Sequence, residues 1–339
     1  MDQRYQALCT WVAEALEIEK AELSVVSGDA SFRRYFRFQQ PGQSLIAMDA
    51  PPEKEDSNSF VCLARSWREQ GVNVPALIKV DLDKGFLLLS DLGDELLLPY
   101  LNPDSPVIES GNKHYAQAMK ALLKIQSLKP ANDYALPLYD SALLQREMAL
   151  FPDWLLEKKL GLDLSEDERQ LLKASFHALE ESALAQPQVV VHRDYHARNL
   201  MVVGEELGII DFQDAVQGPN TYDLVSLLRD CYIVWPNEQL ESWCRDFYDL
   251  LSDSAERQAS FEQFKRDFDL MGMQRHLKAA GIFARLSLRD GKHGYLNDIP
   301  RTVQYIVKVS AAYPEFQELT HFLEQRVLPG LSEKLGASS

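Results

Sequence analysis

Four polar side chains at fixed spacing follow two apolar segments near the middle of the chain. They are His192, Asp194 and Asn199, which come after residues 189–191 in the pattern H-x-D-x-x-x-x-N, and Asp211, which comes after residues 207–210. A carboxylate can orient an attacking hydroxyl and accept its proton. Carboxylate and amide oxygens are also the hard ligands that Mg²⁺ prefers. The pattern therefore indicates phosphoryl transfer from a nucleotide to a hydroxyl group.

Each of these residues has a predicted role in that chemistry. The predicted catalytic residues are Asp194 as the base, Asn199, and His192, which is expected to brace the loop through hydrogen bonds. Asn199 and Asp211 are the predicted metal ligands. The alternative to a catalytic role is that His192 and Asp194 are a surface pair and that Asp211 caps the end of a strand. The apolar strand before each acid and the hairpin between them favour the functional interpretation.

The rest of the chain divides into a strand-rich part and a helical part. Short strands are predicted near residues 23–27, 35–38, 45–48, 76–80 and 86–89, with a helix at 59–70. Longer helices are predicted near 111–128, 141–158, 166–185, 221–233, 238–252 and 260–287. We therefore expect an α+β fold with two lobes and a ligand cleft, with a small antiparallel sheet lobe (1–92) and a larger helical lobe (93–339).

Composition excludes several classes of protein. The chain has 339 residues, 46% of them hydrophobic, and a formal net charge of −16. Strong negative charge disfavours nucleic-acid and anionic-membrane partners. The four cysteines show no metal-ligand spacing, and no signal peptide is visible at the start of the sequence. These features predict a cytoplasmic protein, with no nucleic-acid, membrane or obligatory protein partner indicated.

The central segment resembles the catalytic loops of the aminoglycoside phosphotransferase and choline kinase-like family, which has the protein-kinase fold. Residues 211–230 are similar to one branch, the anomeric N-acetylmuramate/N-acetylglucosamine kinases of bacterial cell-wall recycling. Residues 28–35, 48–52 and 289–292 agree with that branch. The resemblance implies ATP and Mg²⁺ as cofactors and phosphorylation of the C1 hydroxyl of an amino sugar. The residues alone leave open another small alcohol, such as choline or an aminoglycoside.

The nucleotide is expected to contact the first strands and the connector after residue 89. The predicted cofactor-binding residues are Gly28, Asp29, Ser31, Arg33 and Arg34 at the phosphates, and Ser90 and Leu92 at the adenine. Kinases of this fold carry a phosphate-binding lysine on the third strand. Met48 stands near that position here. Two alternatives follow. Another cation replaces the lysine, for which we propose Arg33 or Arg34, or the protein is a nucleotide-binding pseudokinase.

The acceptor is expected to bind in the helical part, because a sugar needs several hydrogen-bonding partners and a lactyl carboxylate needs a cation. The predicted substrate residues, besides Asp194, are Arg229, Asp230, Arg285 and Arg289. Asp223 is instead expected to cap its helix or tie down the catalytic loop. Met271, Met273, Phe264 and Phe268 are predicted to be core residues.

Overall fold

The computed structural model of the protein describes residues 2–28, 32–101, 109–131, 133–251 and 257–336. The helices and strands, in chain order, are α1 (Gln3–Leu16), β1 (Leu23–Gly28), β2 (Arg34–Gln40), β3 (Gln43–Asp49), α2 (Asn58–Glu69), β4 (Leu77–Asp81), β5 (Phe86–Ser90), α3 (Glu109–Gln126), α4 (Ser141–Met148), α5 (Glu166–Ala185), β6 (Gln188–Val191), β7 (Leu200–Val203), β8 (Glu206–Ile209), β9 (Val216–Pro219), α6 (Tyr222–Leu228), α7 (Asn237–Leu250), α8 (Phe261–Asp290), α9 (Ile299–Ser310), α10 (Gln317–Phe322) and α11 (Leu328–Leu335). The chain forms two compact units. The first comprises Met1–Leu101, Ala116–Leu136 and Ala197–Ala215, and the second comprises Asn102–Tyr115, Pro137–His196 and Val216–Ser339.

The first unit is built on an antiparallel sheet with the strand order β1-β2-β3-β5-β4. In the middle of β2, buried and less buried side chains alternate, the period of a half-buried strand, whereas the first four residues of β5 are all buried. Helix α1 packs on one face, where Trp11, Phe36 and Phe86 belong to one hydrophobic cluster. Burying each such side chain stabilises the fold by roughly 1.5–3 kcal/mol. The hairpin β7–β8 also belongs to this unit and carries the segment that leads to Asp211.

The second unit is helical, with α8 as its longest helix. Ser260 caps the N-terminus of α8 by accepting a hydrogen bond from the Gln263 N–H, and Gly291 ends the helix in the left-handed conformation. The predicted core residues Phe264, Phe268, Met271 and Met273 are all buried on α8. A two-stranded ladder, β6–β9, leads into the loop that carries His192 and Asp194.

The α+β, protein-kinase-like fold class is confirmed, and three of the predicted helices need correction. The helix expected at 141–158 ends at Met148, and Phe151–Lys159 is π-helical, because Pro152 lacks the N–H that a continuous α-helix needs. The helix expected at 221–233 ends at Leu228. The helix expected at 260–287 continues to Asp290. The helices α9, α10 and α11 were not predicted at all. The proposed boundary at residue 92 stays a prediction.

None of the helices in the described part of the chain combines the length and the apolar character needed to cross a bilayer.

Candidate active site

The loop after β6 is held by the carboxylate of Asp223 in the first turn of α6. This carboxylate accepts hydrogen bonds from the backbone N–H groups of His192 at 2.6 Å and Arg193 at 3.0 Å. Buried N–H groups need such partners, because leaving one unpaired is costly. Burial raises the pKa of Asp223 to about 7. The expectation that Asp223 ties down this loop is confirmed.

Arg193 has a left-handed backbone, with φ at 76°. This conformation costs free energy for a residue other than glycine and persists only where neighbours fix it. The Arg193 guanidinium donates to Oε1 of Glu147 at 2.6 Å, and Asp223 holds its N–H. Next along the chain, the N–H of Asp194 donates to Nδ1 of His192 at 3.2 Å. These contacts fix Asp194 in a strained loop, a setting common at active sites.

Lys278 of α8 belongs to a buried charge cluster in the same unit as Asp194. Its Nζ lies 3.0 Å from Oε1 of Glu147 and donates to the Tyr222 hydroxyl at 2.9 Å. Burial alone would raise the pKa of Asp194, but nearby positive charge, first that of Lys278, lowers the pKa. Asp194 is therefore ionised at neutral pH, which is the state that can accept a proton.

Asp194 lines a pocket of about 180 Å³ that lies entirely within the second unit. Polar and charged side chains line one part of it, and apolar and aromatic side chains of α8 and the following turn line the rest. The lining residues are Asp194, His196, Tyr222, Asp230, Cys231, Tyr232, Arg275, Lys278, Ala279, Ile282, Phe283, Leu286 and Tyr295. Pockets with a few converging polar groups in an apolar wall are typical of small-molecule sites.

The predicted metal ligands lie together in the first unit. Asn199 Nδ2 is 3.4 Å from Oδ2 of Asp211, and the N–H of Ile210 donates to the Asn199 carbonyl. Asp211 has φ at 65°, a conformation that Asp tolerates better than most residues. The next residue, Phe212, is fully buried and contacts Phe60 and Trp67 of α2 at ring-centroid distances of 4.9 and 5.4 Å. Aromatic packing therefore sets the position of the Asp211 carboxylate.

The donor set around Asp211 fits a hard cation. Gln213 is buried and donates to Oδ1 of Asp211 at 2.7 Å, while its own amide oxygen has no hydrogen-bond partner within the described residues. Carboxylate and amide oxygens are the ligands of Mg²⁺, which takes few protein ligands and fills its shell with phosphate and water. Asn199 and Asp211 thus have the chemistry to hold Mg²⁺.

The structure separates the two arginines predicted at the phosphates. Arg33 is buried, and its Nη2 lies 3.1 Å from Oε2 of Glu55. Its charge also interacts electrostatically with Asp211 and Asp214. Burial alone would lower its pKa, but the neighbouring acidic groups raise it. Arg34, in contrast, forms ion pairs with Asp2 and Asp49. Of the two arginines, Arg33 is therefore the one whose charge interacts with Asp211, the predicted metal ligand.

The other predicted nucleotide residues belong to the same unit. Met48 is fully buried in β3, paired with Leu87, so no cation occupies the third-strand position. Ser90 ends β5, and its N–H donates to the Ala76 carbonyl. Leu92 packs against Gly208. A Cβ added at Gly208 would lie only 2.8 Å from Cδ1 of Leu92. Gly28 is the last residue of β1. Asp29 and Ser31 lie outside the described residues.

Of the predicted acceptor residues other than Asp194, Asp230 lines the pocket and the three arginines do not. Arg229 forms an ion pair with Asp269 at 2.5 Å and stacks over Phe268, so its guanidinium is engaged in helix packing. Arg285 is half-buried on α8, and Arg289 is exposed and pairs with Asp290. Their role in binding an acceptor has no support from this placement.

Sequence reasoning missed Lys278, Arg275 and Glu147. Lys278 and Arg275 lie three residues apart on α8 and therefore face the same side of the helix. Glu147 is a buried acid near the end of α4. The available signal was a pair of cations at helical spacing within the mostly apolar stretch 270–284 of α8.

Two solved structures share the fold of this chain. An ethanolamine kinase from Plasmodium vivax matches with a TM-score of 0.63 at 12% identity, covering 93% of this chain and 89% of that one. A choline kinase from Streptococcus pneumoniae matches with a TM-score of 0.61 at 12% identity, covering 92% of this chain and 100% of that one. At this identity the likeness establishes the fold, which is that of small-molecule kinases with a protein-kinase-like architecture.

The sequence comparisons are more specific. Residues 22–259 match the phosphotransferase enzyme family, and the chain belongs to that family. It is 42% identical to an N-acetylmuramate/N-acetylglucosamine kinase of Pseudomonas putida, over 96% of this chain and 97% of that protein. A kinase of the same name from Neisseria meningitidis is 38% identical, over 96% of both chains.

Proposed function

We propose that this chain transfers the γ-phosphate of ATP to the C1 hydroxyl of N-acetylmuramate, N-acetylglucosamine or both. The observation that carries the proposal is that an ionised Asp194 lines a polar pocket in a chain 42% identical to curated kinases for these amino sugars. The similarity extends over nearly the whole chain, so it includes the helical part in which the pocket lies.

Asp194 would accept a hydrogen bond, and then the proton, from the attacking hydroxyl. The anomeric hydroxyl is more acidic than an ordinary alcohol because of the adjacent ring oxygen, so a carboxylate with a lowered pKa suffices as the base. Its main contribution would be to orient the oxygen for in-line attack. Lys278 would keep Asp194 ionised and add positive charge to the pocket. A phosphorylated enzyme intermediate is not required.

Asn199 and Asp211 would hold Mg²⁺ on the nucleotide. The metal, when bound, neutralises charge on the β- and γ-phosphates. Phe60 and Trp67 keep Phe212, and with it the Asp211 carboxylate, in position. The chain's own contribution to metal binding would therefore be a preformed pair of oxygen ligands.

Arg33 would supply the cation that the third strand lacks. It is buried, paired with Glu55, and close enough to Asp211 to feel its charge. An arginine held by a glutamate in this way resembles the lysine–glutamate pair that kinases use to hold phosphates. Arg33 remains charged at any physiological pH, so it can play this role.

The setting of the reaction follows from its substrates. ATP and a free amino sugar meet in the cytoplasm, so we place the enzyme there, acting on a small molecule. Its sugar 1-phosphate product would suit entry into nucleotide-sugar synthesis during cell-wall recycling.

The test is a coupled ADP-release assay with MgATP and four acceptors: N-acetylmuramate, N-acetylglucosamine, choline and an aminoglycoside. We expect turnover on the amino sugars, and phosphorus–proton NMR of the product should place the phosphate on C1. Turnover only on choline or the aminoglycoside would refute the acceptor. Stabilisation by MgATP without ADP production on any acceptor would identify a nucleotide-binding pseudokinase.

A further inference from the structure

Arg275 is a buried arginine in the pocket that contains Asp194. Its exposed fraction is 7%, its Nε donates to the Ser226 hydroxyl at 2.5 Å, and its Nη1 lies 3.8 Å from the sulfur of Cys231. Within the described residues, no carboxylate oxygen lies within 4.0 Å of its guanidinium. A buried charge normally has an oppositely charged partner, because removing it from water is costly.

The other buried arginines of the described chain are paired. Arg229 lies 2.5 Å from Asp269, and Arg33 lies 3.1 Å from Glu55. Both have nearly the same exposed fraction as Arg275, 8% each. Arg275 interacts at longer range with the charges of Asp230 and Asp194. Burial alone therefore does not explain why it forms no close ion pair within the described residues. The difference is that Arg275 lines a pocket, where a ligand can supply the anion.

Asp230 complements Arg275 in the same pocket. It is fully buried, and its Oδ1 accepts a hydrogen bond from the N–H of Tyr232 at 3.0 Å. Its Oδ2 has no hydrogen-bond partner among the described residues. An unpaired buried carboxylate oxygen is also unfavourable, because it has lost its hydrogen bonds to water. Within the described residues, Arg275 thus lacks a close ion pair, and Oδ2 of Asp230 lacks a hydrogen-bond donor.

The remaining wall restricts which molecules can satisfy both side chains. Phe283 and Tyr295 stack at 5.5 Å, and Ile282 and Leu286 lie beside them on the lining. The complementary ligand has an apolar surface, hydrogen-bond donors and a carboxylate. N-Acetylmuramate has all three. Its lactyl ether carries the carboxylate, its acetamido N–H and hydroxyl groups are donors, and its methyl groups and sugar ring supply apolar surface. N-Acetylglucosamine has the donors but no carboxylate.

We propose that Arg275 binds the lactyl carboxylate of N-acetylmuramate and that Asp230 accepts a hydrogen bond from a donor common to both amino sugars. This inference rests on the proposed function and extends it to specificity. Arg275 then sets the preference for N-acetylmuramate, because guanidinium–carboxylate pairs are strong when shielded from water. Asp230 contributes to binding of both sugars and does not discriminate between them.

The test compares wild type, Arg275→Gln and Arg275→Lys on three acceptors: N-acetylmuramate, its methyl ester and N-acetylglucosamine. The ester removes the negative charge without changing the protein. We expect Arg275→Gln to lower kcat/KM for N-acetylmuramate about 10- to 100-fold, the usual size of a lost charge-assisted contact. Its kcat/KM for N-acetylglucosamine should fall far less, because that sugar has no carboxylate whose contact could be lost. Arg275→Lys should recover part of the loss because it keeps the charge.

The matched controls separate binding from folding. Arg266→Gln changes an arginine of the same helix that pairs with Glu315 at the surface, and all three acceptors should be unaffected. Asp230→Asn should lower kcat/KM for both sugars by a similar factor, about tenfold. The kcat/KM of wild type should be higher for N-acetylmuramate than for its ester, whereas Arg275→Gln should have similar values for both. This result is expected if the Arg275 guanidinium contacts the lactyl carboxylate.

The results distinguish the possible failures. An equal loss on both sugars with Arg275→Gln, or no loss on either, would overturn the role of Arg275 while leaving the kinase intact. If Arg275→Gln does not fold, equal wild-type kcat/KM for N-acetylmuramate and its ester would overturn the role. A wild-type protein that turns over neither amino sugar would overturn the proposed function itself.

Discussion

The proposed metal ligands of the first unit and the pocket of the second unit are assembled in different ways. Asn199 and Asp211 are twelve residues apart and are joined by a single hairpin. The pocket around Asp194 draws on residues from Asp194 to Tyr295, brought together by the packing of several helices. If the proposed roles hold, the metal ligands are encoded locally in the sequence, and the residues that select an acceptor are distributed along it. Specificity can therefore change without altering the catalytic loop.

The two regions also differ in how they treat charge. Around Asp211 an aromatic cluster positions oxygen ligands. Around Asp194 nearby positive charge, first that of Lys278, lowers the pKa of the carboxylate. We therefore expect substitutions in the first region to act through packing and nucleotide affinity, and those in the second to act through protonation and acceptor choice.

The largest effect should come from Phe212→Ala, which removes the aromatic anchor behind Asp211. Large-to-small changes at a fully buried phenylalanine cost about 3–5 kcal/mol, and Phe212 has no solvent exposure. Denaturant unfolding should report a loss of this size. Phe32→Ala is the matched control, because Phe32 is 59% exposed, and it should lose less than about 1 kcal/mol. A similar loss for both variants would contradict the anchoring role.

Arg33→Ala should raise the KM for MgATP about tenfold and leave the KM for the sugar unchanged. The reason is the loss of a charge-assisted contact to phosphate, which is worth this much. Arg33→Lys should restore part of the affinity. Arg65→Ala, at an exposed arginine of the same unit, serves as the control. An unchanged KM for MgATP in Arg33→Ala would mean that another group replaces the missing lysine.

Lys278→Met should lower kcat/KM at neutral pH about tenfold and move the acidic limb of its pH profile to higher pH. Lys278 is the leading cation that lowers the pKa of Asp194. Without it that pKa rises, so Asp194 is protonated, and inactive as a base, up to a higher pH. Lys278→Arg keeps the charge and should keep the limb in place. A limb that does not move in Lys278→Met would assign Lys278 a purely structural role.

The smallest effect concerns His276 on the helix that lines the pocket. Its ring stacks on Tyr305 and contacts the Arg229 carbonyl, and burial, followed by the charge of Arg275, lowers its pKa to about 3. The unfolded chain takes up this proton near pH 6.5 and the folded chain does not, so stability falls as pH decreases. Between pH 6.5 and 5.5 this residue should cost about 1 kcal/mol.

Denaturant unfolding of wild type and His276→Gln at the two pH values measures this contribution. The variant should lose less stability than wild type over the same interval, whatever its stability at pH 7. Equal losses in the two proteins would show that His276 is not the group that takes up the proton.

The sequence predicted much of the first region and little of the second. The strands, the catalytic spacing and the buried residues of α8 could be read from local patterns of apolar and polar residues. Asp230 was among the predicted acceptor residues, but Arg275 and Lys278 were not, because a cation within a helix is usually exposed. Only packing buried them beside Asp194. Arg229 was predicted to bind the acceptor, but it forms an ion pair with Asp269, forty residues away in the sequence.

The most direct test of the central claim is ADP release on N-acetylmuramate by wild type and Asp194→Asn. Asp249→Asn, at an exposed position of α7, is the control. Loss of a general base typically costs 10²–10⁴-fold, so we expect kcat of Asp194→Asn to fall by about that factor while its thermal unfolding and MgATP affinity stay close to wild type. A variant that keeps kcat within about threefold of wild type would contradict the assignment of Asp194 as the base.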